Sequence, residues 1–207
     1  RHRMRADLPP DHVARKRVLL DLPGTASVVV RRDLPYTHDP APLAFDLYRP
    51  GGVGGTGGTV GETRVPAVVL VNGYPEPGFE RLLGCKHKEM AATEDWARLL
   101  AASGLAAVAY TNRNPAEDLP ALLRGLRSEA DALGLDGERL GLWACSGNAA
   151  LCCSTLLARP AGVRAAALLY PFTLDLDGGS DVAEVAKKFG FVAAGAGHSI
   201  DELAPEL

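Results

Sequence analysis

The stretch RLGLWACSGNAA, residues 139–150, joins an apolar run to a group of small residues and carries a cysteine beside a serine. Its first half has the composition of a strand buried on both faces, and its second half is typical of the start of a helix. A strand followed directly by a helix is a unit of an α/β sheet, in which reactive groups collect at the carboxyl ends of the strands. Cys145 and Ser146 both lie at such an end, so each is a candidate nucleophile.

Buried strands and amphipathic helices alternate on both sides of this stretch. Further strands are predicted at VPAVVLV (65–71), LAAVAYT (105–111) and VRAAALLYPFT (163–173), and helices at 89–103, 118–134 and 147–159. This alternation predicts a mostly parallel, doubly wound sheet. Two earlier strands, SVVVRRDL (27–34) and LAFDLYR (43–49), are joined without a helix and predict an antiparallel N-terminal extension, the second strand having one buried face.

Length and composition favour a single globular core. The 207 residues are 47% hydrophobic and 23% charged, with a formal net charge of −3. We expect an N-terminal segment over residues 1–25, a core over 26–175, and the start of a cap or post-sheet segment over 176–207.

Charge and cysteine usage narrow the class of partner. The net charge provides no electrostatic basis for binding nucleic acid, and no apolar run approaches the ~18 residues of a membrane span. The four cysteines form no CxxC pair, and the N-terminus has no signal-peptide pattern. These features predict a cytoplasmic protein with free thiols and a small-molecule ligand, without nucleic acid or membrane as partner.

The serine fits a sharp strand-to-helix turn better than the cysteine does. Such a turn usually has the form G-x-S-x-G, because it tolerates only small flanking residues. With Ser146 at its centre, Ala144 and Asn148 replace the two glycines; with Cys145 at its centre, Trp143 would stand where a very small residue is needed. We therefore favour Ser146 as the nucleophile, while an inert helix start with Ser146 as N-cap stays open.

The loop after VPAVVLV supplies a second piece of acyl-transfer chemistry. It has the sequence NGYPEPGFE, residues 72–80. An acyl-transfer site needs two backbone N–H groups on the developing oxyanion, one from the residue after the nucleophile and one from this loop. We predict Gly147 and Tyr74 as these donors, with Gly73 giving the turn its freedom; a simple proline-rich turn is the alternative.

Together these segments resemble a known superfamily. The run from LPYTHDPAPLAFDLYRP through VPAVVLVNGYPEPG to RLGLWACSGNAA is similar to the α/β-hydrolase fold and, within it, to the dienelactone-hydrolase-like and small serine esterase branches. The resemblance implies Ser146 as nucleophile and the backbone of Tyr74 and Gly147 as oxyanion donors. Dienelactone hydrolases use cysteine at this turn, so the serine favours the esterase side.

The partners of the serine are the missing part of the pattern. The triad in this fold runs Ser, then Asp or Glu, then His, with the last two each after a further strand. Residues 174–207 are too few for two more crossovers of about 30 residues each, so we expect the chain to stop before the last two strands. His198 is the only histidine after Ser146 and is a weak candidate base, preceded by the acidic residues Asp175, Asp177 and Asp181. An exposed final strand would favour a homo-oligomer.

Other motifs carry less chemistry. GVGGTG (52–57) matches a dinucleotide fingerprint but precedes a strand, and Cys85, His87 and Glu89 lack a fourth metal ligand at suitable spacing. We expect no cofactor and no metal. The sequence thus predicts a serine hydrolase of a small ester, lactone or related acyl substrate. The alternatives are a non-catalytic binding or scaffold protein, or a lyase or acyltransferase, on the same fold.

Overall fold

The described part of the chain folds around a six-stranded mixed sheet. The structure, a computed structural model, describes residues 8–37, 41–51 and 64–171. The strands are β1 (Val29–Pro35), β2 (Ala44–Arg49), β3 (Val65–Leu70), β4 (Ala106–Tyr110), β5 (Leu135–Cys145) and β6 (Val163–Leu169), in the order β1-β2-β4-β3-β5-β6. The strands β4, β3, β5 and β6 are mutually parallel, whereas β2 is antiparallel to both β1 and β4. The predicted mostly parallel sheet with an antiparallel N-terminal extension is confirmed.

Helices cover both faces of this sheet. They are α1 (Glu76–Leu83), α2 (Ala91–Ala102), α3 (Pro115–Ser128), α4 (Ala130–Leu133) and α5 (Ala149–Leu157). Leucines of α3 and α5 pack with Val69, Val108 and Leu142 in the main core, whereas Ala97 and Ala101 of α2 pack on the opposite face. Because both faces are covered at the centre of the sheet, β4 is buried throughout, as its continuous apolar sequence predicts. The first half of β5 is partly exposed, and most of β6 is exposed, in contrast to the buried strands predicted there.

The observed helices differ from the predicted ones in two places. The helix predicted over 118–134 begins at Pro115 as α3, with Asn114 as N-cap residue, so Asp118, the predicted first residue, lies in its first turn. The Asp118 carboxylate accepts the N–H groups of Arg113 and Asn114 and so holds the chain that leads into the helix. The proline-rich stretch after β3 contains a helix, α1, because Pro77 is compatible with a first turn and Gly84 ends it at φ 72°.

The prediction that β2 has one buried face is wrong. Asp46 and Tyr48, which share one face of the strand, are fully buried. Leu47 and Phe45, on the other face, are buried as well. The Asp46 carboxylate is tolerated there because it pairs with Arg32 Nη1 at 2.9 Å and Lys88 Nζ at 2.6 Å. These cations come from β1 and from the 3₁₀ turn His87–Glu89, which precedes α2.

Residues 8–18 of the N-terminal segment pack against the outside of the helical layer. Leu8 and Ala14 are buried with Cys85 in a small apolar cluster. Further along, Arg17 and the N–H of Val18 donate to the buried carboxylate of Asp95 on α2. Within the described ranges, no helix has the length and apolar character that crossing a membrane requires.

Candidate active site

A strained turn connects β5 to the helix that follows it. Ser146 is exposed and has φ 51°, a conformation that few residues other than glycine adopt. A 3₁₀ turn over Ser146–Asn148 then leads into α5. Positive φ in a non-glycine residue costs free energy and is maintained where the surroundings enforce it, commonly at functional sites.

The loop after β3 lies directly against this turn. The N–H of Gly73 donates to Asn148 Oδ1 at 2.8 Å, and a Cβ on Gly73 would lie 3.2 Å from the Asn148 Cα. The next N–H, from the predicted oxyanion donor Tyr74, is directed elsewhere: it donates to Asn72 Oδ1 at 3.2 Å. In this conformation, therefore, the loop N–H that faces the turn is that of Gly73.

The side chain of Tyr74 covers Gly147. A Cβ on Gly147 would lie 1.8 Å from the Tyr74 hydroxyl, so glycine is required there while the phenol keeps its position. Burial, with a smaller contribution from Cys145, raises the pKa of Tyr74. The two predicted oxyanion residues are thus brought into contact, Tyr74 through its ring rather than its backbone.

Cys145, the competing nucleophile, is half-buried beside the serine. Its Sγ accepts a long hydrogen bond from Asn148 Nδ2 at 4.0 Å. A hydrogen bond between this thiol and the Tyr170 phenol is the main cause of the raised pKa of Tyr170. The thiol is therefore engaged by neighbouring side chains, whereas Ser146 is open to solvent.

A buried polar cluster, not predicted from the sequence, lies at the carboxyl ends of β3 and β4. Glu76 is 5% exposed, and its carboxylate accepts the N–H of His87 at 2.6 Å and Asn72 Nδ2 at 3.3 Å. Asn112 Nδ2 and the Tyr110 hydroxyl donate to the Asn72 carbonyl oxygen at 3.0 and 3.3 Å. Asn72 and Asn112 each come just after the end of a buried strand. Polar residues at such positions are the sequence signal that indicates a polar cluster at this edge of the sheet.

Burial moves two pKa values in this cluster in ways that matter at neutral pH. Desolvation raises the pKa of Glu76 to about 7, because the charged form is disfavoured there. Desolvation also lowers the pKa of His87 to about 4, and its Nδ1 has no hydrogen-bond partner among the residues that the structure describes. At neutral pH the imidazole is therefore uncharged, and the carboxyl group lies near its midpoint.

The remaining candidates are separate from this cluster or undescribed. Cys85 is buried against the N-terminal segment, and Glu89 accepts the N–H of Lys86. Among the described residues, no group of three or more His, Cys, Asp or Glu side chains is arranged to hold a metal ion. Burial raises the pKa of Cys152 to about 12, so this thiol stays protonated. The candidate base and the acidic residues before it (His198, Asp175, Asp177 and Asp181) and the GVGGTG stretch lie outside the described residues.

Comparison with known proteins identifies the fold. No protein-family model matches the chain, and no curated protein sequence matches it. Solved structures, in contrast, match the chain. A brefeldin A esterase, described as a bacterial homologue of human hormone-sensitive lipase, superposes with TM-score 0.59 at 20% identity over 84% of this chain and 48% of its own. A thermophilic carboxylesterase cloned from a metagenomic library gives 0.54 at 19% identity, over 80% of this chain and 58% of that one.

A bacterial heroin esterase is similar as well, with TM-score 0.53 and 20% identity over 77% of this chain and 49% of its own. The chain thus spans about half the length of the structures that it matches. The likeness shows that it has the α/β-hydrolase fold, with the order of strands described above.

Proposed function

We propose that the protein hydrolyses a small carboxylic ester, lactone or related acyl substrate through an acyl-enzyme on Ser146. The observation that carries this proposal is the exposed serine at φ 51° between a buried parallel strand and a helix. That geometry lifts a hydroxyl out of the sheet edge, where a substrate can reach it. The similar structures named above are esterases, which favours the esterase branch over dienelactone hydrolases.

The proposed reaction has two steps. Ser146 Oγ bonds to the acyl carbon, its proton passes to a general base, and the alcohol leaves with that proton. Water then attacks the acyl carbon while the base takes its proton, the carboxylic acid is released, and that proton returns to Ser146 Oγ. The base is a histidine, for which His198 is the candidate within this sequence.

The oxyanion formed in each step needs backbone donors. Gly147 follows the serine, and the Gly73–Tyr74 loop lies against the same turn. In this conformation the Gly73 N–H donates to Asn148 Oδ1, so it donates to an acyl oxygen beside Ser146 only once the Asn148 side chain turns away. Removing one such donor typically costs about 10²–10³ in kcat.

Labelling with a fluorophosphonate tests the nucleophile. We expect the folded protein to gain one adduct that maps to Ser146, and Ser146→Ala to gain none. Cys145→Ala is the matched control and should label like the wild type, since its thiol is not the attacking group. Equal labelling of wild type and Ser146→Ala, with both folded by circular dichroism, would contradict the proposal.

One observation favours a second candidate function, a non-catalytic binding protein on the same fold. Asn148 stands where the turn usually has glycine, and its side chain occupies the Gly73 N–H that an oxyanion would need. Such a protein would bind small acyl compounds without turnover. Saturable binding of an ester by isothermal calorimetry, with no product and no adduct on Ser146, would support this function over hydrolysis.

A further inference from the structure

Glu76 is a buried carboxylate whose hydrogen-bond donors among the described residues are all uncharged. It is the first residue of α1 and lies two residues after the Gly73–Tyr74 loop. Its two oxygens accept a backbone N–H, from His87, and a side-chain amide, from Asn72. A carboxylate is costly to bury, and this one is held by neutral hydrogen bonds. As the first residue of α1 it also lies at the positive end of the helix dipole, which favours a carboxylate there.

The hydrogen bonds from Glu76 continue into the loop. Because Asn72 Nδ2 is committed to Glu76, its Oδ1 faces the N–H of Tyr74 and closes a local turn. The backbone carbonyl of Asn72 is also fixed, by Asn112 and Tyr110. With the Tyr74 N–H directed inward, the preceding N–H, of Gly73, points toward the Ser146 turn.

We propose that Glu76 is a positioning residue: by fixing the Asn72 amide, its carboxylate holds the Gly73–Tyr74 loop so that the Gly73 N–H faces the Ser146–Asn148 turn. The inference rests on the proposed function, because the direction of this N–H affects the reaction only if an oxyanion forms there. Glu76 itself touches neither the serine nor, in this role, the substrate.

The polarity of the hydrogen bonds allows a sharp test. In Glu76→Gln the amide oxygen still accepts the His87 N–H, but its Nε2 then meets Asn72 Nδ2, donor against donor. In Asn72→Asp two carboxyl groups face each other instead. Because the pKa of Glu76 is already raised, they share a proton near neutral pH and repel each other only when both are ionised, so this variant is assayed above about pH 8. In the double variant the new amide at position 76 donates to the new carboxylate at position 72, whose other oxygen accepts the Tyr74 N–H. The exchange restores every hydrogen bond.

We expect each single variant to lower kcat for p-nitrophenyl acetate by about 10- to 100-fold, the range of a weakened oxyanion donor, with KM within about twofold. The double variant should return to within about threefold of wild type. Glu117→Gln is the matched control, since Glu117 is an exposed glutamate in the first turn of α3. It should leave kcat unchanged.

Hydrogen exchange of residues 71–79 provides a readout that does not depend on activity. Exchange should be faster in each single variant and return to the wild-type rate in the double variant. Folded single variants that match the wild type, or a double variant that remains defective or fails to fold, would overturn the inference. If wild type and Ser146→Ala hydrolyse the ester equally, the proposed function fails, and the exchange rates alone decide the role of Glu76.

Discussion

Two buried titratable residues oppose each other in their effect on stability. Burial raises the pKa of Glu76 to about 7 from 4.5 and lowers that of His87 to about 4 from 6.5. The folded state therefore holds a proton on Glu76 that the unfolded state has lost, and lacks one on His87 that the unfolded state has gained. As the pH rises from about 4.5 to 7, the contribution of Glu76 to the free energy of unfolding falls, because the unfolded state releases this proton more readily than the folded state. As the pH falls from about 6.5 to 4, the contribution of His87 to the free energy of unfolding falls, because the unfolded state takes up this proton more readily.

We predict that these effects nearly cancel between pH 4.5 and 6.5 in the wild type. Each contributes a slope of about 1.4 kcal/mol per pH unit, with opposite sign. In Glu76→Gln the free energy of unfolding should therefore rise with pH across this window, and in His87→Gln it should fall. Urea unfolding at pH 4.5, 5.5 and 6.5 measures both slopes.

Parallel pH curves for the three proteins would contradict this prediction. The comparison uses slopes, so the hydrogen bonds lost in each variant do not affect it unless they depend on pH. The other titratable groups that influence Glu76 are common to all three proteins: Glu80, Lys86, Glu89, Tyr110 and Tyr36.

At the scale of single residues, the sequence predicts the residues of the strand-to-helix turn but not the hydrogen bonds that hold the neighbouring loop in position. Ser146 and Gly147 stand out because a strand ends beside small residues, and that pattern is local in the chain. The hydrogen bonds around Glu76 link residues of three separate segments (72–76, 87 and 110–112), and no local pattern predicts such contacts. Even within the loop, Tyr74 was the predicted donor, while the N–H that faces the turn is that of Gly73, because an Asn72 side chain redirects its neighbour.

At the scale of elements, strands were easier to predict than helix ends or burial. The central strands have continuous apolar sequences, and each is found within a few residues of its predicted range. The helix α1 was missed because Pro75 and Pro77 resemble a turn, although proline is common at a helix start. Burial of both faces of β2 depends on cations from β1 and from the turn before α2, which periodicity within β2 cannot reveal.

The ion pair between Lys88 and Asp46 should be an important attachment between these elements. The side chain of Lys88 is 4% exposed and that of Asp46 0%, and their atoms are 2.6 Å apart. Removing one partner of a buried pair leaves the other charge poorly compensated, although Arg32 still pairs with Asp46. We predict that Lys88→Met lowers the free energy of unfolding by about 3 kcal/mol.

Asp33→Asn is the matched control. Asp33 contacts the same ammonium group at 2.6 Å, but its side chain is 72% exposed. Only the Asp33 side of this pair is exposed, and without Asp33 the buried Lys88 ammonium keeps Asp46 as its partner, so this variant should lose less, about 1 kcal/mol. Urea unfolding of both variants at one pH measures the difference, and equal losses would show that burial does not govern the pair.

At the scale of the whole molecule, strand order places the candidate site. β3 and β5 are neighbours in the sheet, so the loop after one and the turn after the other meet at the same edge. The sequence predicted parallel strands and a common edge without fixing this order. Contacts such as Gly73 with Asn148 arise from that adjacency.

The N-terminal segment also belongs to the folded unit, and its buried face covers a thiol. Ala14 is fully buried and Leu8 5% exposed, and both pack against Cys85, which is itself 0% exposed. A charged residue at position 14 has no partner in this cluster, so it should displace the segment rather than be buried. We predict that Ala14→Glu makes Cys85 reactive toward a thiol reagent in the native protein.

Val13→Glu is the control for this prediction, because Val13 is the adjacent residue and is 52% exposed. Its added carboxylate stays in water, so Cys85 should remain as protected as in the wild type. Labelling with iodoacetamide under native conditions, followed by peptide mapping, separates Cys85 from the half-buried Cys145. If both variants leave Cys85 unlabelled while folded, the thiol is protected by its own surroundings and the segment is not its cover. If Cys85 is labelled in both variants, a negative charge at either position displaces the segment. The buried contact of Ala14 is then not what holds the segment in place.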